Sequence, residues 1–307
     1  MAKYLLRRLG STLITLALIV TAGFLLVELI PGDPAPSLAG PGASEQTLDQ
    51  IRQAYEFDQP FLTRFTTTFT RLARGDLGFS FSRGEPVTEV LARSLPPTLL
   101  LTTLAFLVEV AIGVPVALWV ISRRGRWADR MLVAAAGATS AIPAFLVGLI
   151  FIYLFAFVLG WFPLGGGGSI SGYVLPVLAV GIPFGLVFAR LLRTTLLKET
   201  DEAYVVFAAG RGERRWSIRM RHLLPNALLP LFSVLALDFA GLFSSVAVVE
   251  AVFSMPGLGA DLLTSLRRLD TALIIGIGLA SGLVVAVVNL IADVAVVVVD
   301  PRARERV

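Results

Sequence analysis

From Lys198 to Pro230 the chain reads KETDEAYVVFAAGRGERRWSIRMRHLLPNALLP, a basic loop set between two long apolar runs. Those runs are continuous in Leu, Val, Ile, Ala and Phe, and outward from them the same texture recurs. A hydrocarbon layer about 30 Å thick needs roughly 20 such residues in helix to cross it. Six segments reach that length, at about 9–30, 98–121, 131–160, 173–192, 228–253 and 271–299. Composition agrees: 56% of the 307 residues are hydrophobic and mean hydropathy is +0.80, outside the range of soluble domains. The runs do not alternate every second residue, which argues against a membrane β-barrel. The first apolar core is too long for a signal peptide and no small-residue cleavage site precedes Pro31, so it is expected to stay as a span. The sequence therefore reads as an all-α integral membrane protein of six transmembrane helices.

Orientation follows from the cations between spans. Lys3, Arg7 and Arg8 precede the first; Arg123, Arg124, Arg126 and Arg130 follow the second; the 198–230 loop and its approaches hold Arg190, Arg193, Lys198, Arg211, Arg214, Arg215, Arg219 and Arg221; the tail adds Arg302, Arg304 and Arg306. In the 31–97 segment acids outnumber bases. The excess of Lys and Arg on one side places both termini and the 198–230 loop in the cytoplasm. Three parts result: 1–30 with the first span, an extracytoplasmic segment 31–97, and a five-helix core 98–307 carrying a cytoplasmic loop at 198–225. Cations at span ends answer to anionic headgroups, so the high pI does not imply a nucleic-acid partner; membrane lipid is the expected one.

Several chemistries are excluded. The chain has no cysteine, hence no disulfide or thiolate site. Its two lysines, Lys3 and Lys198, end no Gly-x-x-x-x-Gly-Lys, so this chain is not expected to hydrolyse ATP. The single histidine, His222, lies among arginines without a second ligand, which argues against a metal site or a hydrolase triad. Gly165 to Gly168 reads as a flexible outer turn. No catalytic residue, cofactor or metal is expected here.

What remains is a loop built for contact. Asp201 and Glu202 suit the positive end of a helix, and Ala203, Tyr204, Val205, Val206, Phe207, Ala208 and Ala209 continue it. Gly210 and Arg211 follow, and Gly212 can supply the positive φ that ends such a helix. A second stretch, 213–221, is expected to stop at Pro225. An apolar helix outside the membrane, with nothing in its own chain to bury it, is expected to enter a groove on a partner. In the outer segment, 45–55 and 61–72 show helical spacing and predict a small helical cap. The 254–270 segment, broken by Pro256, Gly257 and Gly259, is expected to dip at the outer mouth. Glu109 and Asp238 lie deep in spans, where a carboxylate costs about 2.5 to 3.5 kcal/mol on insertion scales; pathway lining and inter-helix hydrogen bonding both answer that cost. An ion-driven secondary transporter or channel using these two acids is the alternative reading, but the halves show no clear repeat. Gly181 with Gly185, and Gly276 with Gly278, predict close helix packing.

From Gly212, nine residues lead to position 222, then Leu224 and Pro225. This resembles the "EAA" loop of bacterial ABC importer permeases, with Val206, Phe207 and Ala208 where the motif has Glu-Ala-Ala, and His222 at its isoleucine. The likeness extends nearly end to end: Pro31-Gly32-Asp33-Pro34, Gly75-Asp76-Leu77-Gly78, Pro86-Val87, Pro96 and Thr98, Arg221-His222, Asn226-Ala227-Leu228-Leu229-Pro230, Glu250, Phe253, Pro256-Gly257-Leu258-Gly259, Asn289, Asp293 and Asp300-Pro301-Arg302. In that order they resemble the first membrane subunit of the dipeptide/oligopeptide ABC importer permease family. The resemblance implies the type I permease fold, a bacterial inner-membrane location and a heteromeric complex. Its partners would be a second homologous permease subunit, two cytosolic ABC ATPase subunits carrying ATP and magnesium, and an extracytoplasmic substrate-binding protein. It implies ATPase coupling through residues 201–212 with Leu224 and Pro225, and an outer gate at Phe253 and 256–259. Relatives carry dipeptides, oligopeptides, glutathione, nickel chelates or sugar oligomers, and nothing in the sequence separates these.

Overall fold

The computed structural model describes residues 2–29, 35–39, 43–54 and 58–299. The Pro31-Gly32-Asp33-Pro34 and Asp300-Pro301-Arg302 blocks, Tyr55 and the basic tail lie outside them. The helices are α1 (Ala2–Leu29), α2 (Ala35–Ala39), α3 (Glu45–Ala54), α4 (Phe61–Ala73), α5 (Val87–Ile121), α6 (Trp127–Ala141), α7 (Ala144–Phe151), α8 (Ile170–Glu199), α9 (Ala203–Gly210), α10 (Arg215–Ile218), α11 (Leu224–Leu228), α12 (Phe232–Val252), α13 (Leu258–Arg268) and α14 (Thr271–Val299). A two-stranded antiparallel hairpin, β1 (Phe79–Ser80) with β2 (Glu85–Pro86), precedes α5. The chain divides into two compact units, Met1–Pro97 with Pro256–Ala286, and Thr98–Met255 with Val287–Val307.

Among the described residues, five helical stretches are each long and apolar enough to cross a membrane, and the sixth expected span is a bent pair. α6 and α7 meet at 97°, because Ile142 sits in extended conformation before Pro143; the proline ring disfavours helical geometry in the residue ahead of it. α7 then runs into a π-helical segment, Ile152–Val158.

The expected stop at Pro225 is not observed. α10 continues through a π segment, Arg219–Leu223, into α11 and, by a 3₁₀ turn at Leu229–Leu231, into α12. In α register the Arg221 carbonyl would meet the ring of Pro225, four residues on. The wider register avoids this by moving each bond one residue further, as Leu224 N–H donating to the Arg219 carbonyl shows. The Asn226 side chain covers the His222 carbonyl at 2.8 Å.

In the Met1–Pro97 and Pro256–Ala286 unit, Phe24 of α1 makes edge contacts with Phe61 and Phe65 of α4, each at 5.5 Å. Two buried carboxylates fix the hairpin. Asp270 accepts from the Ser80 hydroxyl at 2.7 Å, the Ser82 amide at 3.0 Å and the Leu273 amide at 3.1 Å. Asp261 pairs with Arg83 and accepts from Ser94. Within the 254–270 segment, residues 258–268 form the regular helix α13, with Pro256 and Gly257 ahead of it and Gly259 taken into its first turn.

In the other unit, glycine sets the approach of α5 and α8. A Cβ at Gly181 would lie 2.8 Å from the Val108 side chain and 2.9 Å from the Ala105 carbonyl, and one at Gly185 would lie 3.2 Å from the Glu109 carbonyl. Between apolar helices in lipid, close packing of this kind supplies the attraction that water exclusion supplies elsewhere. The 165–168 glycines are not merely a flexible turn: Gly166 N–H donates to the Phe253 carbonyl at 2.6 Å, and a Cβ there would collide with Met255. Gly181→Ala is expected to destabilise by about 1 to 3 kcal/mol through overpacking. Gly137→Ala, where nothing lies within 4 Å, is expected to be neutral or stabilising by up to about 1 kcal/mol. Thermal unfolding in detergent compares the two.

Candidate functional site

The 198–230 loop contains one short helix held by its own chain on one side and bare on the other. α9 starts at Ala203, with Asp201 in the preceding turn and Glu202 at the N-cap making no side-chain cap bond. At its far end Gly212 takes φ +79°. Gly212 N–H bonds to the Ala209 carbonyl at 3.0 Å and Glu213 N–H to the Ala208 carbonyl at 3.2 Å. This pair is the Schellman arrangement, and it requires a residue at home in the left-handed region. Gly212 fits.

Burial follows the helical repeat. Val205 and Ala208 are buried among Leu196 of α8, Ala117 and Leu118 of α5, and Ile218 and Leu223 later in the loop. The helix is thus partly buried by its own chain, contrary to the sequence expectation. The opposite face is different: Ala203, Ala209 and Gly210 are exposed, Val206 is 62% and Phe207 67% exposed, and nearby Trp216 is 61% exposed. Arg211 lies with its guanidinium 5.8 Å from the Phe207 ring centre. Leu224 is half-buried at the base of the loop, and Pro225 is exposed in the first turn of α11.

Polar contacts fix this helix to the spans. The Tyr204 hydroxyl donates to the Glu199 carboxylate at the end of α8. Burial of the phenol first, and then that bond, push its pKa up to about 12. His222 Nε2 lies 3.2 Å from the Glu213 carboxylate, which also receives the Ser217 hydroxyl at 3.4 Å. Six residues above the end of α8, Arg193 holds Asp129 of α6 through two nitrogens, one at 2.7 Å, and the Gly125 amide donates to the same carboxylate at 3.0 Å. Sequence reasoning missed the Arg193–Asp129 pair. Its partners are 64 positions apart, and no local spacing announces such a contact.

The other candidates fall elsewhere. Glu109 is fully buried on α5, with the Asp238 carboxyl of α12 as its neighbour. Phe253 is 1% exposed and packs on Gly148 and Gly166. In the other unit, Leu258 and Gly259 are buried in the first turn of α13, behind Pro256 and Gly257.

Residues 110–305 match the family model described as "Binding-protein-dependent transport system inner membrane component", and residues 1–102 match its N-terminal companion. The chain is 33% identical to a Sinorhizobium fredii protein named "Probable peptide ABC transporter permease protein y4tP", over 99% of this chain and 100% of that one. It is 35% identical to "Glutathione transport system permease protein GsiC" of Salmonella paratyphi A, over 99% of both. Among solved structures, a chain of the inward-facing methionine ABC transporter MetNI superposes with a TM-score of 0.55 at 21% identity, covering 69% of this chain and 96% of that one. The fold is that of an ABC importer permease.

Because folding raises the Tyr204 pKa above that of the free phenol, its contribution to loop stability is full below about pH 10 and is lost as pH rises toward about 12. The ultraviolet difference spectrum between wild type and Tyr204→Phe is expected to show no tyrosinate at pH 10, where an exposed tyrosine is about half ionised. Tyr204→Phe is also expected to cost the loop about 1 kcal/mol, read as faster amide hydrogen exchange across 203–210.

Proposed function

The chain belongs to the family of binding-protein-dependent transport system inner membrane components, and from that premise we propose how its loop does the family's work. As a multi-pass permease subunit of an ABC importer it provides the membrane passage, while ATP hydrolysis and substrate capture reside on other chains of the system. The ion-driven alternative loses its basis with that membership. In the proposed mechanism, the bare face of α9, centred on Val206 and Phe207, seats in a cleft of a cytosolic ATPase subunit carrying ATP and magnesium. Two such ATPases and a second, homologous permease complete the assembly, and an extracytoplasmic binding protein delivers cargo. The cargo is a peptide or a similarly small solute such as glutathione, a reading supported by the names of the relatives.

One observation carries the coupling assignment: two large apolar side chains stand exposed on a helix whose other face is packed into the span ends. Fully burying a Val or Phe side chain is worth about 1.5 to 3 kcal/mol each. Two of them together reach the order of the roughly 5.5 kcal/mol that swings a two-state equilibrium from 1:99 to 99:1. Asp201, Glu202, Arg211 and Gly212 frame the docking helix. Closure of the ATPases then pulls on a helix tied to α8 by Tyr204 and Glu199, and to the α10–α12 path by the Val205 and Ala208 packing. On the opposite side, Phe253 with the 256–259 segment would serve as the outer gate, and Glu109 with Asp238 as an internal polar pair.

Phe207→Asp tests this. Its side chain is solvent-facing, so insertion and thermal midpoint are expected to hold within about 0.5 kcal/mol, while ATP-driven peptide uptake in vesicles containing the partner subunits falls at least about ten-fold, equivalent to about 1.4 kcal/mol of coupling. Undiminished uptake would remove α9 from the coupling role. Purification of the tagged chain in mild detergent is expected to bring down a second permease and ATPase activity.

A further inference from the structure

A cavity of about 420 Å³ lies within the Met1–Pro97 and Pro256–Ala286 unit, lined by Phe24 of α1, Arg64, Thr67 and Arg71 of α4, Asp76 in the following turn, and Ile275 of α14, among others. Its volume is that of a small-molecule site, which typically runs about 300–1,000 Å³. Phe24 stands in the last two turns of α1 and Ile275 in the second turn of α14. With both termini cytoplasmic, these are the outer ends of two spans, at the depth of outer-leaflet headgroups. The lining changes character along that direction: the spans contribute mainly apolar side chains, and every charge comes from the outer segment.

Those charges are balanced. Arg64 donates to Glu28 at 2.7 Å and to the Gln59 carbonyl at 3.1 Å, with its guanidinium 5.9 Å from the Phe24 ring centre. Arg71 uses only Nε, bound to Asp76 at 3.2 Å, so among the described residues its two terminal nitrogens carry no hydrogen bond. Asp76 accepts from the Gly78 amide at 2.8 Å. That bond, ahead of Arg71, holds its carboxyl below the usual range, so it is anionic at neutral pH. Arg71 and Asp76 are each about half exposed, at 50% and 56%. A purely anionic ligand would find no surplus of positive charge here. A ligand bearing both signs finds guanidinium N–H donors for an anion and carboxylate lone pairs for a cation that has N–H bonds to give. Phe79, 46% exposed at the rim, adds apolar surface beside Ile275.

We propose that this cavity holds the headgroup of an outer-leaflet phospholipid bearing a phosphate and a primary ammonium, the phosphate on Arg71 and the ammonium on Asp76, with the acyl chains running down beside α1 and α14. The site ties the outer segment to the bilayer surface independently of the coupling loop.

Native mass spectrometry of the full chain, delipidated in detergent and then offered equal amounts of phosphatidylethanolamine, phosphatidylglycerol and phosphatidylcholine, tests it. The expected result is preferential retention of one phosphatidylethanolamine, reduced about ten-fold in Arg71→Gln and in Thr67→Trp, which fills the cavity from its exposed rim. Equal retention of the three lipids by wild type would overturn the proposal. So would undiminished retention in both variants. Displacement of the lipid by water-soluble glycerophosphoethanolamine at equal concentration would assign the site to a soluble zwitterion instead, and displacement by a short peptide would assign it to cargo; either overturns the lipid reading. The wild-type competition decides even where a variant fails to fold.

Discussion

No water reaches the core of a bilayer, so every backbone N–H and C=O that leaves the helical ladder must find a partner within the chain, at a cost of several kcal/mol if it does not. At the ends of the spans, where the ladder breaks, this chain supplies the missing partners itself. Ser169 turns its hydroxyl to the Gly172 amide where α8 begins. The π segment after α7 closes with Leu159 N–H on the Leu154 carbonyl at 3.0 Å. Pro225 is absorbed by a change of register and an asparagine side chain, and the chain beyond Phe253 is held by Gly166. Each solution is local, so helices broken in register remain continuous in mechanical terms.

In the coupling role proposed for the cytoplasmic loop, that continuity is its leverage. Residues 215–252 form one helical path through three registers, and α9 is packed against its start and against the end of α8. Gly212 fixes where α9 stops, because the Schellman bonds need a positive φ that costs a residue with a Cβ roughly 1 to 2 kcal/mol. The bidentate Arg193–Asp129 contact holds α8 against α6 near the same membrane face. A force applied at Phe207 therefore enters spans and not a slack linker.

Much of this was legible in the sequence, and the reasons differ by element. Span number follows from run length, and sidedness from Arg and Lys counts, because both reflect insertion energetics that act residue by residue. The α9 helix was legible from its acids, apolar run and Gly212. Its buried face was not, since Val205 and Ala208 share one buried cluster with Leu196 and Leu223, and that cluster depends on tertiary packing. The 97° break was written in Ile142-Pro143, but it fell inside an apolar run whose length favoured a single span. The hairpin was illegible because its strands are two residues long and owe their place to Asp270, 190 positions from Ser80. Gly165 to Gly168 looked flexible because four glycines carry no side-chain information; the tight approach of Gly166 to Met255 and Phe253 is visible only from the far partner.

The two sides of the membrane solve different problems with the same chain. The outer segment has no cysteine, and its cluster of aromatic rings is small, so it draws on buried carboxylates. Asp261 and Asp270 are 4% and 0% exposed, and each is met by several donors. Such sites favour one arrangement strongly, because leaving a buried charge without its partner costs about 3 to 5 kcal/mol. The cytoplasmic loop does the reverse. It keeps Val206, Phe207 and Trp216 in the open, and apolar contact is non-directional, so a partner's cleft can be entered and left without stranding a charge. The outer segment holds its shape through directional bonds, and the cytoplasmic loop, in the docking proposed for it, presents an apolar face.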